Sequence, residues 1–141
     1  LDSLEELLDM CTLVRAETYE DANALLKTQK FDIAILDIMG VDGYKLLETA
    51  NKKKVVTVML TAHALSPDNI KKSYLGGACS YIPKEEMINI ESFLMDVLEA
   101  KKAGKNPWTS WYGRMSSFFE KKFGPNWQKK DAEFWEKFPF Y

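Results

Sequence analysis

FDIAILDIM, residues 31–39, decides the fold. It is an apolar run rich in isoleucine, charged only at Asp32 near its start and Asp37 near its end, which suits a strand buried on both faces of a parallel sheet. A second run of the same character, VVTVMLTA, covers residues 55–62. Between them lie a turn bounded by Gly40 and Gly43 and a helical stretch, YKLLETANKKK. The alternation continues downstream: SPDNIKKSYLGGA offers Ser66 as N-cap, Pro67 at the first helical position and Gly76 and Gly77 as the stop. CSYIP then reads as a short strand. Residues 87–102 read as a helix with Ile88, Ile90, Phe93, Leu94, Val97 and Leu98 facing inward, ended by Gly104.

Upstream, LDSLEELLDM places Leu1, Leu4, Leu7 and Leu8 on one helical face. CTLVRAET, residues 11–18, reads as a short strand, and residues 19–30 as a helix whose Glu20 and Asp21 suit the positive end of its dipole. Such regular alternation predicts an α/β fold with a doubly wound parallel sheet. In sheets of this kind the crevice lies at the carboxyl ends of the strands. The polar residues that close the apolar strands, Asp37, Thr61 and Lys84, are therefore the candidates for chemistry.

A length of 141 residues fits one main domain with an appendage. A net charge of −2 does not point to nucleic acid, a membrane or a polyanionic partner. Cys11 and Cys79 belong to no CxxC or Cys/His cluster and His63 is the single histidine, so a zinc site or a disulfide framework is not expected. No apolar run has the length of a membrane span and no signal peptide is evident, which makes a cytoplasmic location the expectation.

An Asp at the end of a buried strand can simply cap the following helix. An acid, a hydroxyl and an ammonium at three adjacent strand ends instead make a phosphoryl site of nucleophile, hydrogen-bond donor and point charge. Here the sequence resembles the receiver domain of two-component response regulators: FDIAILDIMGVDGYKLLE matches its phosphoacceptor segment, VVTVMLTAHA its hydroxyl strand and GGACSYIPKEE its lysine strand. The resemblance runs from Leu1 to about Gly104 and implies a flavodoxin-like fold. It further implies that Asp37 takes a phosphoryl group from a sensor histidine kinase or phosphotransfer protein in a bacterial signalling system. Thr61 would bind the phosphoryl oxygens, Lys84 would pair with their charge, and Tyr81 would be the aromatic switch. By the same resemblance Asp37 and the backbone carbonyl of Met39 would contribute to a Mg2+ site, and His63 would modulate dephosphorylation. Each of these has a plainer alternative: Tyr81 as an ordinary strand aromatic, Lys84 as a solvated loop lysine, His63 as a surface histidine.

The family's acidic pair, at the end of its first strand, would precede Leu1, and Asp37 with Met39 would hold magnesium poorly without it. In the family's strand order 2-1-3-4-5 that first strand is internal, so an upstream segment carrying it is the expectation. The loop after Asp37 is two residues shorter than usual, and Lys84 is followed by Glu85 where proline is common.

From Lys105 onward the composition changes: all four tryptophans and two-thirds of the aromatic residues fall in the last 37 positions. Asn106 and Pro107 start a helix carrying Trp108, Trp111, Met115, Phe118 and Phe119, which Gly124 and Pro125 end. A second helix from about Asn126 carries Trp127, Phe134, Trp135 and Phe138. Residues 1–104 would be the receiver domain and 105–141 an aromatic-rich helical extension. The aromatic faces suit packing on the receiver or on each other, a docking or homodimer surface, or a membrane-surface contact. A tail charge of +3 is too weak for DNA binding. Output would run through a downstream protein partner. The competing function is a degenerate receiver acting as a phosphorylation-independent interaction or dimerisation scaffold. A phosphatase is disfavoured because no second aspartate stands two residues after Asp37, and no enzymatic activity is expected.

Overall fold

The structure, a computed structural model, describes residues 8, 11–38, 42–62 and 66–138, leaving out the side chain of Lys130. The expected helix over residues 1–10 lies outside this description except for Leu8, which is buried.

Three strands form a parallel sheet in the order β1 (Ile33–Asp37), β2 (Val56–Thr61), β3 (Ser80–Pro83). The register sets Asp37 opposite Leu60, and Thr61 opposite Pro83. All three strands therefore end at one side of the sheet. The intervening crossovers are α2 (Gly43–Lys52), after β1, and α3 (Pro67–Leu75), after β2. Before β1 comes α1 (Tyr19–Thr28), whose N-cap Thr18 accepts from the Asp21 amide at 3.1 Å. Ser66 caps α3 through the Asn69 amide at 3.1 Å, with Pro67 at the first helical position, as the spacing predicts.

Beyond β3, a 3-10 turn (Lys84–Asn89) leads into α4 (Ile90–Lys102). Ile90, Phe93, Leu94 and Val97 are buried as expected, but Ile88 is 75% exposed and Leu98 is 38% exposed. The reason lies in the turn: 3.0 residues per turn before Ile90 break the 3.6-residue phase on which the inward placement of Ile88 rests. The tail follows as α5 (Pro107–Phe123), a 3-10 turn (Trp127–Asp131) and α6 (Ala132–Lys137). The Asn106 side chain accepts from the Trp108 amide at 2.9 Å, and Gly124 closes α5 at φ 92°.

CTLVRAET is not a strand. Residues 12–17 have no regular structure, and Val14 is 51% exposed. Strand preference is realised through pairing with a neighbour. Among the described residues no strand pairs with the outer side of β1, so this segment has no ladder to join. The described sheet accordingly has three parallel strands where four were expected.

A single apolar cluster holds these layers together. It takes in Leu46 and Leu47 of α2, Val58 and Met59 of β2, Ile82 of β3, Phe93 of α4, and Trp111 and Phe119 of α5. The tail thus shares the core of the sheet. Trp108, Trp111, Met115 and Phe119 recur at three- and four-residue spacing and are all buried, so one face of α5 lies inward.

Candidate phosphoacceptor site at the strand ends

Asp37 is the last residue of β1, and its position is set from below and behind. Its strand is held to β2, with the Ile38 amide donating to the Leu60 carbonyl at 3.1 Å. The start of α2 abuts it so closely that a Cβ on Gly43 would lie 2.7 Å from the Asp37 carbonyl oxygen and 2.8 Å from the Ile38 Cα. Only glycine fits there without a shift of backbone. The N-cap of α2 is Asp42, in the left-handed region at φ 57°, which Asp tolerates better than most residues. The helix-capping alternative for Asp37 therefore fails, because the cap position falls five residues later.

The Asp37 carboxylate is half-buried and accepts from the Lys84 ammonium, Nζ to Oδ2 at 2.9 Å. Lys84 follows Pro83, the end of β3, and reaches across β2 to the end of β1. It is not a free loop lysine. Thr61, the last residue of β2 between them, is 1% exposed. Its hydroxyl shares a hydrogen bond with that of Tyr81, which the Ser66 backbone also contacts. Tyr81 is fully enclosed in the core, and burial pushes its phenol well above the ordinary range.

Asp37 and Lys84 are thus in contact, and Thr61 at the end of β2 forms a second pair with Tyr81 within β3. Met39 and His63 lie outside the described residues. Among the described residues no three His, Cys, Asp or Glu side chains gather. One carboxylate already paired with an ammonium does not make the near-octahedral oxygen set that magnesium prefers, so the described residues do not by themselves fit that ion.

Part of the chain is 36% identical over 90 residues to the two-component response regulator ARR18 of Arabidopsis thaliana, covering 60% of this chain and 14% of that protein. It is 32% identical over 117 residues to ARR12 of the same plant, covering 75% and 20%. With the heme response regulator HssR of Staphylococcus aureus it shares 37% identity over 68 residues, covering 46% and 30%. The chain is a homologue of two-component response regulators. It spans less than a third of the length of these relatives, which come from both a plant and a bacterium. No protein-family model matches the chain.

Two features of this response-regulator homologue escaped the sequence. Trp108 Nε1 donates to the Ala78 carbonyl at 2.8 Å and Trp111 Nε1 to the Tyr81 carbonyl at 2.7 Å. Glu85, next to Lys84, pairs with Lys122 of α5 at 3.0 Å. Helical spacing marks the buried face of α5, but which carbonyls its indoles meet depends on tertiary packing.

Proposed function

We propose that the chain is a phosphorylation-dependent signalling module, in which residues 1–104 are a receiver domain of flavodoxin-like type and Asp37 is its phosphoacceptor. What carries the reading is the 2.9 Å contact of Lys84 Nζ with Asp37 Oδ2 at adjoining strand ends, beside the buried hydroxyl of Thr61. A carboxylate oxygen of Asp37 attacks the phosphorus of a phosphohistidine on a sensor kinase or phosphotransfer protein. The P–O bond forms as the P–N bond breaks, and the imidazole keeps the electron pair and takes up a proton. Lys84, already at the carboxylate, turns its charge to the phosphoryl oxygens, and Thr61 donates to them. The acyl phosphate puts about two negative charges beyond Asp37. Tyr81 then reads the displacement of Thr61, and the change passes to a protein partner.

The test is incubation of the protein with acetyl phosphate and magnesium, followed by intact mass and hydroxylamine treatment. A gain of one phosphoryl group, labile to hydroxylamine and missing from Asp37→Asn, is the expected result. If the wild type gains nothing, the switch reading falls and an interaction scaffold takes its place. No helix among the described residues is long and apolar enough to cross a membrane.

A further inference from the structure

We propose that the C-terminal helices are a built-in occupant of the β3 face, held there by the unphosphorylated Asp37 site and loosened when Asp37 is phosphorylated. The inference rests on the phosphoacceptor reading and adds the regulation of that same site.

Two continuous routes join Asp37 to the tail. One is ionic: Asp37 pairs with Lys84, the first residue of the turn Lys84–Asn89, and the next residue, Glu85, pairs with Lys122 of α5. The other runs through the core: Thr61 shares its hydrogen bond with Tyr81, whose carbonyl accepts from Trp111 and whose ring lies 6.3 Å from that of Phe119. Both routes meet α5 along its length, at Trp111, Phe119 and Lys122. Further contacts seat the same assembly on the helices flanking β3. Tyr74 of α3 meets the rings of Trp108, Phe134 and Phe138 at 5.1–5.8 Å. Lys71 of α3 pairs with Asp131, and Arg114 of α5 pairs with Asp96 of α4.

The seat depends on the charge state at Asp37 because each route begins with a group that a phosphoryl would recruit. Drawing the Lys84 ammonium outward moves the start of the 84–89 turn and with it Glu85, the partner of Lys122. Drawing Thr61 to a phosphoryl oxygen takes a hydrogen bond from the enclosed Tyr81 hydroxyl. Tyr81 must then reorient, and both the carbonyl that holds Trp111 and the ring beside Phe119 belong to it. A packed face of this kind has discrete arrangements and does not deform continuously.

The experiment is hydrogen exchange read by mass spectrometry on the whole chain, with and without acetyl phosphate and magnesium, alongside intact mass. Expected is exchange faster by at least severalfold in peptides spanning residues 107–138 of the phosphorylated protein, with β2 unchanged and Asp37→Asn showing no response. Lys122→Gln, at an exposed position, should exchange faster over α5 before phosphorylation and show a smaller further gain. Full phosphorylation with unaltered exchange over 107–138 overturns the inference and leaves the phosphoacceptor reading standing. Absence of phosphorylation overturns both.

Discussion

β1 and β3 are the two outer strands of one sheet, and each turns toward its outer side backbone groups that β2 does not take up. On the β3 side two indole N–H groups reach the carbonyls of Ala78 and Tyr81, and Tyr81 and Ile82 are wholly enclosed. On the β1 side Ile33, Ala34 and Ile35 are only half-buried, although parallel strands of this composition are ordinarily covered on both faces. An open cleft of about 200 Å³ lies there instead, lined by Leu8, Val14, Leu25, Phe31, Ile35 and Leu46 among others. A sheet edge is a template for further pairing unless something covers it. In this protein the aromatic helices cover the edge that carries Tyr81, while among the described residues the irregular segment 12–17 and Leu8 lie beside the other edge.

The largest effect should come from uncovering β3. Trp111→Ala removes a buried indole and its hydrogen bond, and should cost about 3–5 kcal/mol in urea unfolding. Trp111→Phe keeps most of the area but leaves the Tyr81 carbonyl without its indole donor, for a loss of about 1–3 kcal/mol. Equal losses for the two variants would mean that the hydrogen bond, and not the buried ring, holds the tail. The two edges can also be compared directly. Ile82→Ala in β3 should cost about 2–5 kcal/mol, whereas Ile35→Ala in half-buried β1 should cost nearer 1 kcal/mol. Similar costs for both would show that the β1 edge is covered in solution.

Between the edges sits the close approach of α2 to Asp37. Gly43→Ala would push a methyl into the backbone of Asp37 and Ile38, which cannot yield as a flexible side chain can. A loss of about 1–3 kcal/mol is expected from this overpacking, together with slower phosphorylation of Asp37 by acetyl phosphate. An unchanged phosphorylation rate would mean that the end of β1 tolerates displacement.

How much of this was legible beforehand differs between the two edges for a physical reason. Ser66–Pro67 and Asn106–Pro107 announce their helices because capping is local chemistry, and residues 31–39 and 55–62 announce strands by composition, although only the second is buried nearly throughout. Asp37, Thr61 and Lys84 could be singled out because each closes an apolar run, and Asp37 and Lys84 do meet. CTLVRAET misled because its β-branched residues express a preference that only a neighbouring strand can satisfy. Ile88 misled because the 3-10 turn shifts the helical phase. The seating of Trp111 on the Tyr81 carbonyl was illegible, since nothing local to either residue encodes the other.

The smallest effect should have the opposite sign, and it tests whether covering β3 has a cost. Ser80, the first residue of β3, and Thr57 in β2 carry buried hydroxyls with no hydrogen-bond partner among the described residues. At an open edge water would solvate such a group, but Ser80 is 1% exposed. Deleting an unsatisfied hydroxyl removes its desolvation penalty and leaves little void, so Ser80→Ala should stabilise the fold by about 1 kcal/mol in urea unfolding. If Ser80→Ala instead destabilises, the hydroxyl has a partner in solution and the β3 edge is wetter than its packing indicates. A gain that disappears in the Trp111→Ala background would tie the penalty to the tail itself.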